Sequence, residues 1–281
     1  MADSPFTTVA VLRTVADIAP DHPVLRSMSA VYWRGGDKQV EGVLYRSQYF
    51  DKLVAWGGGE ATANAARYVG PGFQLIVFDP KVSMAVIGRE AFASERSLRE
   101  AADLAAADVT VFNQEACVAT RHICVEGGIE AADRFCALLY ERLGVRREFA
   151  SEIGPKTPSE VREAVDGLSF LEPEYRVWGE YDGRGLVVHS PEPVDFHPMH
   201  KTVNVVPVDS LIDAAAYATV ATQTVGVYPA HRKAELRDRL AGAGAQRVVK
   251  LGSALSGSIG NPHDAMYPLH RFVNWVVDDD A

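Results

Sequence analysis

KLVAWGGGEATANAARYVGPGFQLIVFDPKVSMAVI, residues 52–87, is the stretch on which the fold turns. Its opening run, Lys52 to Trp56, is apolar and too short for a helix, and it is closed at once by Gly57-Gly58-Gly59. Glu60 to Tyr68 then carries residues of good helical propensity. Two extended apolar runs follow, Gln74 to Phe78 and Ser83 to Ile87, hinged at Asp79-Pro80. Strand, glycine turn, helix and strand in this order predict an α/β protein with largely parallel sheets.

The same alternation continues outward. Upstream, Thr7 to Ala19 has apolar residues at helical spacing behind Ser4-Pro5, which suits an N-terminal helix boundary. Downstream, the alanine-rich stretch from Glu95 to Phe112 predicts a long helix that ends on FNQEACVAT, Phe112 to Thr120. His122 to Val125 reads as a strand and Ile129 to Leu143 as an amphipathic helix. After a Pro/Glu-rich connection, Tyr175 to Trp178, Leu186 to His189 and Thr202 to Val206 read as strands. A helix is expected from Ser210, a strand at Thr224 to Tyr228 and a basic helix from Ala230 to Leu240. The end is expected to pair Arg247 to Leu251 with Arg271 to Val277 across a loop containing Asn261-Pro262-His263-Asp264. No internal repeat or low-complexity segment interrupts the pattern.

Composition excludes several classes. The 281 residues are 47% hydrophobic and 23% charged, which is globular and enough for one large or two ordinary domains. No run approaches the roughly 18 apolar residues of a membrane helix. The N-terminus lacks a basic segment ahead of an apolar core, so a cytoplasmic protein is expected. A net charge of -9 without a Lys/Arg cluster argues against nucleic acid as a partner, and Asp278-Asp279-Asp280 reads as a solvated end. Cys117, Cys124 and Cys136 form no CxxC pair, so neither a disulfide framework nor a zinc site is indicated.

Two local features have chemical potential. WGGGEA, Trp56 to Ala61, puts glycines between a strand and a helix, where an anion can approach the backbone and the helix N-terminus offers N–H donors; the spacing is not GxGxxG, and by itself a tight strand–helix turn is the simpler reading. Cys117 becomes reactive only where a helix end, a cation or backbone N–H groups stabilise its thiolate. Lys81 is the nearest plausible cation in the sequence, and His122, five residues on, reads as an ordinary strand residue. Without these aids Cys117 is a small buried hydrophobe. His189, His197, His200 and His263, with Glu192, Asp195 and Asp264 as neighbours, show no recognised ligand spacing, so no metal is expected.

Several phrases taken in order say more. "SPFTTVAVLRT", "YWRGGD", "LVAWGGGEA", "FDPKVS", "FNQEACVAT", "VVPV", "ATQTVGVYP", "GAQRVVKLG" and "NPHDAMYPLHRFVNWV" together resemble the acyl-CoA reductase family, from about Ser4 to about Val277. That family includes the long-chain fatty-acid reductase component of bacterial bioluminescence and belongs to the aldehyde dehydrogenase superfamily. The resemblance implies an α/β, aldehyde dehydrogenase-like fold, with residues 1–80 the remaining part of a dinucleotide-binding domain and 81–281 the catalytic domain. It implies Cys117 as the nucleophile, with Asn113 and Gln114 shaping its loop. Trp56, Gly57, Gly58 and Glu60 match the turn bordering the dinucleotide, and Lys81 a lysine that supports the site.

Activity follows by the same implication: NAD(P)H-dependent reduction of a long-chain acyl-CoA or acyl-protein thioester to a fatty aldehyde, with NADPH or NADH as cofactor. Aldehyde-oxidising members carry a glutamate four residues before the matched lysine, to activate water. Here that position is Val77, which favours reduction over oxidation. An aldehyde-oxidising dehydrogenase and a non-catalytic acyl-binding subunit are the alternatives. Relatives carry a further N-terminal segment with the first strands of the dinucleotide-binding domain and its ribose-reading acid. A shortened chain with an open half-sheet is therefore expected, exposing an edge and associating with itself or with an acyl-transferring partner subunit.

Overall fold

The computed structural model describes residues 6–171 and 173–279; Ser4-Pro5 and Asp280 lie outside them. The chain divides into two compact units, Met1–Phe78 and Asp79–Ala281.

In the first unit, helices α1 (Thr7–Ile18), α2 (Val24–Ser27) and α3 (Lys38–Leu44) precede strand β1 (Lys52–Trp56), helix α4 (Gly59–Ala66) and strand β2 (Gln74–Phe78). β1 and β2 are parallel, with Lys52 opposite Gln74 and Trp56 opposite Phe78. Asp37 caps α3 by accepting from the N–H groups of Gln39 and Val40. Glu41, 2% exposed, is the polar anchor of this unit. It accepts from Gly36 N at 2.7 Å, Asn64 Nδ2 at 2.8 Å and the Tyr68 hydroxyl at 3.0 Å. Burial pushes its pKa up, but these bonds to the ionised form outweigh burial and leave it lowered. Helix α1 buries no residue, and Phe6, Ile18, Val31, Tyr32 and Trp56 are all more than half exposed.

The second unit is built on a seven-stranded sheet. Its strands are β3 (Val82–Ile87), β4 (Thr120–Glu126), β5 (Arg176–Glu180), β6 (Gly185–His189), β7 (Thr202–Val208), β8 (Thr222–Tyr228) and β9 (Arg247–Lys250), in the order β5-β6-β7-β4-β3-β8-β9. All neighbours are parallel except β5 and β6. Side chains alternate along the central strands, as the period of a strand demands. Ala85, Ile87, Ile123 and Val125 face helices α5 (Glu95–Thr110) and α6 (Ile129–Leu143), while Met84, Val86, Cys124 and Val225 face α8 (Lys233–Ala243). Helix α7 (Ser159–Ser169) covers Val188 with Val161 and Val165. This three-layer arrangement explains why the strands read as continuous apolar runs.

Helix α5 shows how the sequence fixes the layer beneath the candidate site. Ser94 and Ser97 cap each other at its start. Leu98, Ala101, Ala102, Ala105, Ala106 and Val109 recur at spacings of three and four and are fully buried on one face. Alanine on that face lets the helix lie close to the sheet.

Two expectations fail here. Arg271 to Val277 does not pair with Arg247 to Leu251: β9 is an edge strand against β8 alone, and Pro268–Phe272 forms the short helix α9. Trp275, Val276 and Val277 are 76 to 90% exposed, so strand-prone residues here have no apolar layer to cover, and β-propensity without packing is weak. The helix expected from Ser210 is only a 3₁₀ turn at Asp213–Tyr217. Leu211, Ala214 and Ala215 already cover the sheet, and Thr222 must begin β8 a few residues later.

Candidate active site

Cys117 lies in the tight passage from α5 to β4, at the end of the sheet where the parallel strands begin. Helix α5 stops at Thr110, and Phe112, Asn113 and Gln114 then take φ values of 49°, 54° and 69°. Asparagine tolerates the left-handed region; phenylalanine and glutamine do so only when their surroundings hold them.

Hydrogen bonds supply that hold. The Phe112 N–H donates to the Phe149 carbonyl at 2.8 Å. Asn113 Oδ1 accepts from Ser151 N at 3.1 Å and Ser151 Oγ at 2.9 Å. Gln114, 1% exposed, donates through Nε2 to the carbonyls of Thr120 and Thr202 at 3.0 and 2.7 Å. Ser83 on β3 donates to the Cys117 carbonyl at 2.7 Å and accepts from Thr224 N at 3.2 Å. The cysteine backbone is thus tied to β3 and β8, while the residue itself stays partly exposed. Cys124 and Cys136 are buried, and burial pushes the Cys124 thiol up to about 12 and the Cys136 thiol higher still.

Two arginines that the sequence does not single out lie within electrostatic range of Cys117. Arg121, 6% exposed, donates to the carbonyls of Gln114, at 2.9 Å, and Pro198. No carboxylate pairs with it among the described residues. Burial lowers its pKa to about 10, and the Cys117 charge acts in the opposite sense. Arg247 donates to Thr224 Oγ1 at 3.1 Å and to the Ala254 carbonyl at 3.0 Å; burial lowers it, against the charges of Cys117 and Asp108. An arginine directly before the expected strand, four residues after the cysteine, was the signal that could have revealed the first.

Lys81 donates to the Val220 carbonyl at 3.3 Å, next to the start of β8. His122 Nδ1 faces Asn204 Oδ1 at 3.2 Å rather than the cysteine. Burial and then Arg121 lower His197 to about 4, with His122 adding to the effect, so it is neutral at neutral pH. Asp264 accepts from Gln223 Nε2 at 2.9 Å. No group of three or more His, Cys, Asp or Glu side chains is arranged to hold a metal among the described residues. Beside the Cys117 loop, a cavity of about 730 Å³ is lined by Phe112, Asn113, Glu115 and residues 146–152.

Trp56, Gly57, Gly58 and Glu60 belong to the first unit. There β1 runs through Gly57 and Gly58 into α4, whose N-cap Gly58 offers no side-chain cap. A Cβ on Gly57 would meet Ala61 Cβ at 3.3 Å, whereas the space at Gly58 and Gly59 is open. The uncapped N–H groups and that open space fit a dinucleotide phosphate. Trp56 stacks on Phe78 with ring centroids 4.4 Å apart.

Solved structures share this architecture. The chain superposes on a salicylaldehyde dehydrogenase from Pseudomonas putida G7 with a TM-score of 0.60 and 14% identity, covering 80% of this chain and 49% of that one. An NADP-dependent glyceraldehyde-3-phosphate dehydrogenase from Bacillus halodurans C-125 gives 0.58 and 13%, over 78% and 48%. The fold is that of the aldehyde dehydrogenases. Within that fold, residues 2–275 match the family described as acyl-CoA reductase (LuxC), and the chain belongs to it. A long-chain acyl-protein thioester reductase of Vibrio harveyi is 30% identical over 98% of this chain, and one of Photorhabdus luminescens 31% over 97%. The chain spans about half the length of these relatives, 56% and 55%. No helix among the described residues is long and apolar enough to cross a membrane.

Proposed function

We propose that the chain carries the acyl-transfer and reduction site of a long-chain acyl thioester reductase, with Cys117 as nucleophile. The observation that supports this reading most is the strained loop at 112–114, held by hydrogen bonds and delivering a partly exposed cysteine whose backbone is fixed by Ser83. The names of the relatives support a long-chain acyl-protein thioester as substrate, and that of the family an acyl-CoA.

The Cys117 thiolate attacks the thioester carbonyl. Donor and nucleophile are both thiols, so transthioesterification needs no strong base and expels the donor thiolate. N–H groups of the turn around Cys117 serve the oxyanion, each worth about 3 kcal/mol in comparable sites. When bound, NAD(P)H would be held by Gly57, Gly58 and the start of α4 and would supply the hydride that brings the Cys117 thioester to the aldehyde level. Cys117 then leaves as thiolate, releasing aldehyde. At position 77 the chain has valine where, by the same resemblance, aldehyde-oxidising relatives carry the glutamate that activates water, which supports reduction over oxidation.

In this reading residues 1–80 contribute to the dinucleotide-binding domain, with Gly57, Gly58 and the start of α4 beside the phosphates and Trp56, Glu60 and Lys81 bordering the cofactor. Residues 81–281 form the catalytic domain, in which Asn113 and Gln114 shape the nucleophile loop. Association with a second copy or with an acyl-transferring subunit, and a cytoplasmic location where free thiols stay reduced, belong to the same reading.

The test is incubation with radiolabelled long-chain acyl-CoA, then denaturing electrophoresis. Label that is thiol-releasable and absent from Cys117→Ser is the expected result; equal labelling of Cys117→Ser refutes the assignment. NADPH fluorescence titration tests the cofactor reading separately.

A further inference from the structure

Lys201 is fully buried immediately before β7, yet among the described residues no carboxylate is in contact with it. Its ammonium instead donates to two backbone carbonyls, Ser151 at 2.5 Å and Glu152 at 3.1 Å. Burying an ammonium against carbonyls alone is costly, because neutral dipoles replace its water shell only in part. The segment before it is strained as well: His200 and Lys201 have φ values of 53° and 63°, and His200 Nδ1 meets the Lys156 carbonyl at 2.8 Å. Burial and the Arg147 charge lower the Lys201 pKa, with Asp182 and Glu152 opposing.

The two carbonyls that Lys201 grips belong to the segment holding the nucleophile loop. Ser151 donates twice to Asn113, and Phe149 receives the Phe112 N–H. Gly154 is wedged between the two halves: a Cβ there would lie 3.2 Å from Lys201 Cε and 3.5 Å from Asn113 Cβ. Two strained segments, 112–114 and 200–201, therefore face each other across residues 149–154.

We infer that Lys201 is a positioning residue: through the Ser151 and Glu152 carbonyls it clamps the 149–154 segment onto Asn113, and so fixes the loop that presents Cys117. The inference rests on Cys117 being the nucleophile. The clamp touches no reacting atom, so its loss acts on the rate of attack and not on thioester capture.

Lys201→Met tests it, with acylation followed by rapid quench and normalised to the number of sites that acylate at completion. The expected result is a fall of at least tenfold in the saturating rate per competent site, with the half-saturating thioester concentration within twofold of the parent's. A merely structural lysine would reduce the number of competent sites and leave the rate at each unchanged, and that outcome overturns the inference. Should Lys201→Met not fold, Ser151→Ala against Ser151→Thr decides it. The alanine variant, lacking the hydroxyl bond to Asn113, slows attack severalfold and the threonine variant restores it; equal rates in all three overturn the clamp. Failure of the parent to acylate on Cys117 would instead refute the underlying reading.

Discussion

Glu126 closes β4 at the opposite end from Cys117, and its replacement by glutamine has a calculable consequence. The carboxylate is 2% exposed. It accepts from Arg89 N and Nη2, both at 3.0 Å, and from Arg232 Nη1 at 3.1 Å; Arg232 also pairs with Glu90 and Glu235. Burial alone would raise its pKa, but the bonds from Arg89 and Arg232 overcome burial and hold it at about 2, against 4.5 for a free carboxyl. That difference corresponds to about 3 kcal/mol of stability at neutral pH. Because Arg89 is largely exposed and its share is screened, about 2 kcal/mol is the working figure. The sign is that of a depressed carboxylate: the contribution is complete above pH 4.5 and is lost as pH falls toward 2. For a unit of this size, about 2 kcal/mol lowers Tm by roughly 4 to 8 °C. Differential scanning calorimetry of Glu126→Gln at pH 7 should find that gap, and it should narrow at pH 3.5. A gap under 2 °C at pH 7, or one that does not narrow in acid, refutes the reasoning.

Asp108 behaves in the opposite sense. Burial raises it to about 6 despite donation from Gly252 N and Ala254 N and the nearby Arg247, so folding takes up a proton and its contribution to stability falls as pH rises from 3.8 through 6. Urea unfolding at pH 4 and pH 7.5 should therefore move in favour of Asp108→Asn, relative to the parent, by about 2 kcal/mol. Ser83→Ala leaves the Cys117 carbonyl and Thr224 N–H without their shared partner, a loss of about 1 to 3 kcal/mol measurable by the same unfolding curves. Iodoacetamide at pH 7.5 should alkylate Cys117 in the native protein and spare Cys124 and Cys136 until urea is added, as peptide mass spectrometry will read.

Periodicity made the fold legible where one element serves one purpose. Helix α6 spans the expected Ile129–Leu143, and β4 and β8 extend the expected runs by three and two residues, because the apolar middle of each was legible while the buried polar residues at the strand ends were not. The segment 271–277 misled because FVNWVV has strand composition but no layer to pack on, which a single sequence does not reveal. At the candidate site, Cys117, Asn113 and Gln114 were visible as one contiguous phrase. Ser83, Ser151, Lys201 and Arg247 were not, since each comes from a different strand or loop and meets the phrase only through the sheet order.

That order also accounts for how a loop with three successive left-handed residues persists. Such residues cost of order 1 to 3 kcal/mol each, and nothing within 112–114 compensates them. Compensation comes from both sides. Helix α5 is locked upstream by a fully buried alanine face, and β4 is locked downstream between β3 and β7, so neither end can relax by shifting register. The Gln114 amide then spans to Thr120 and Thr202, and Ser83 fixes the cysteine carbonyl, so unwinding the strain would break buried hydrogen bonds as well. A rigid helix and a central strand are thus the condition for a strained turn between them, and the turn is where a partly exposed thiol can be held at a constant position.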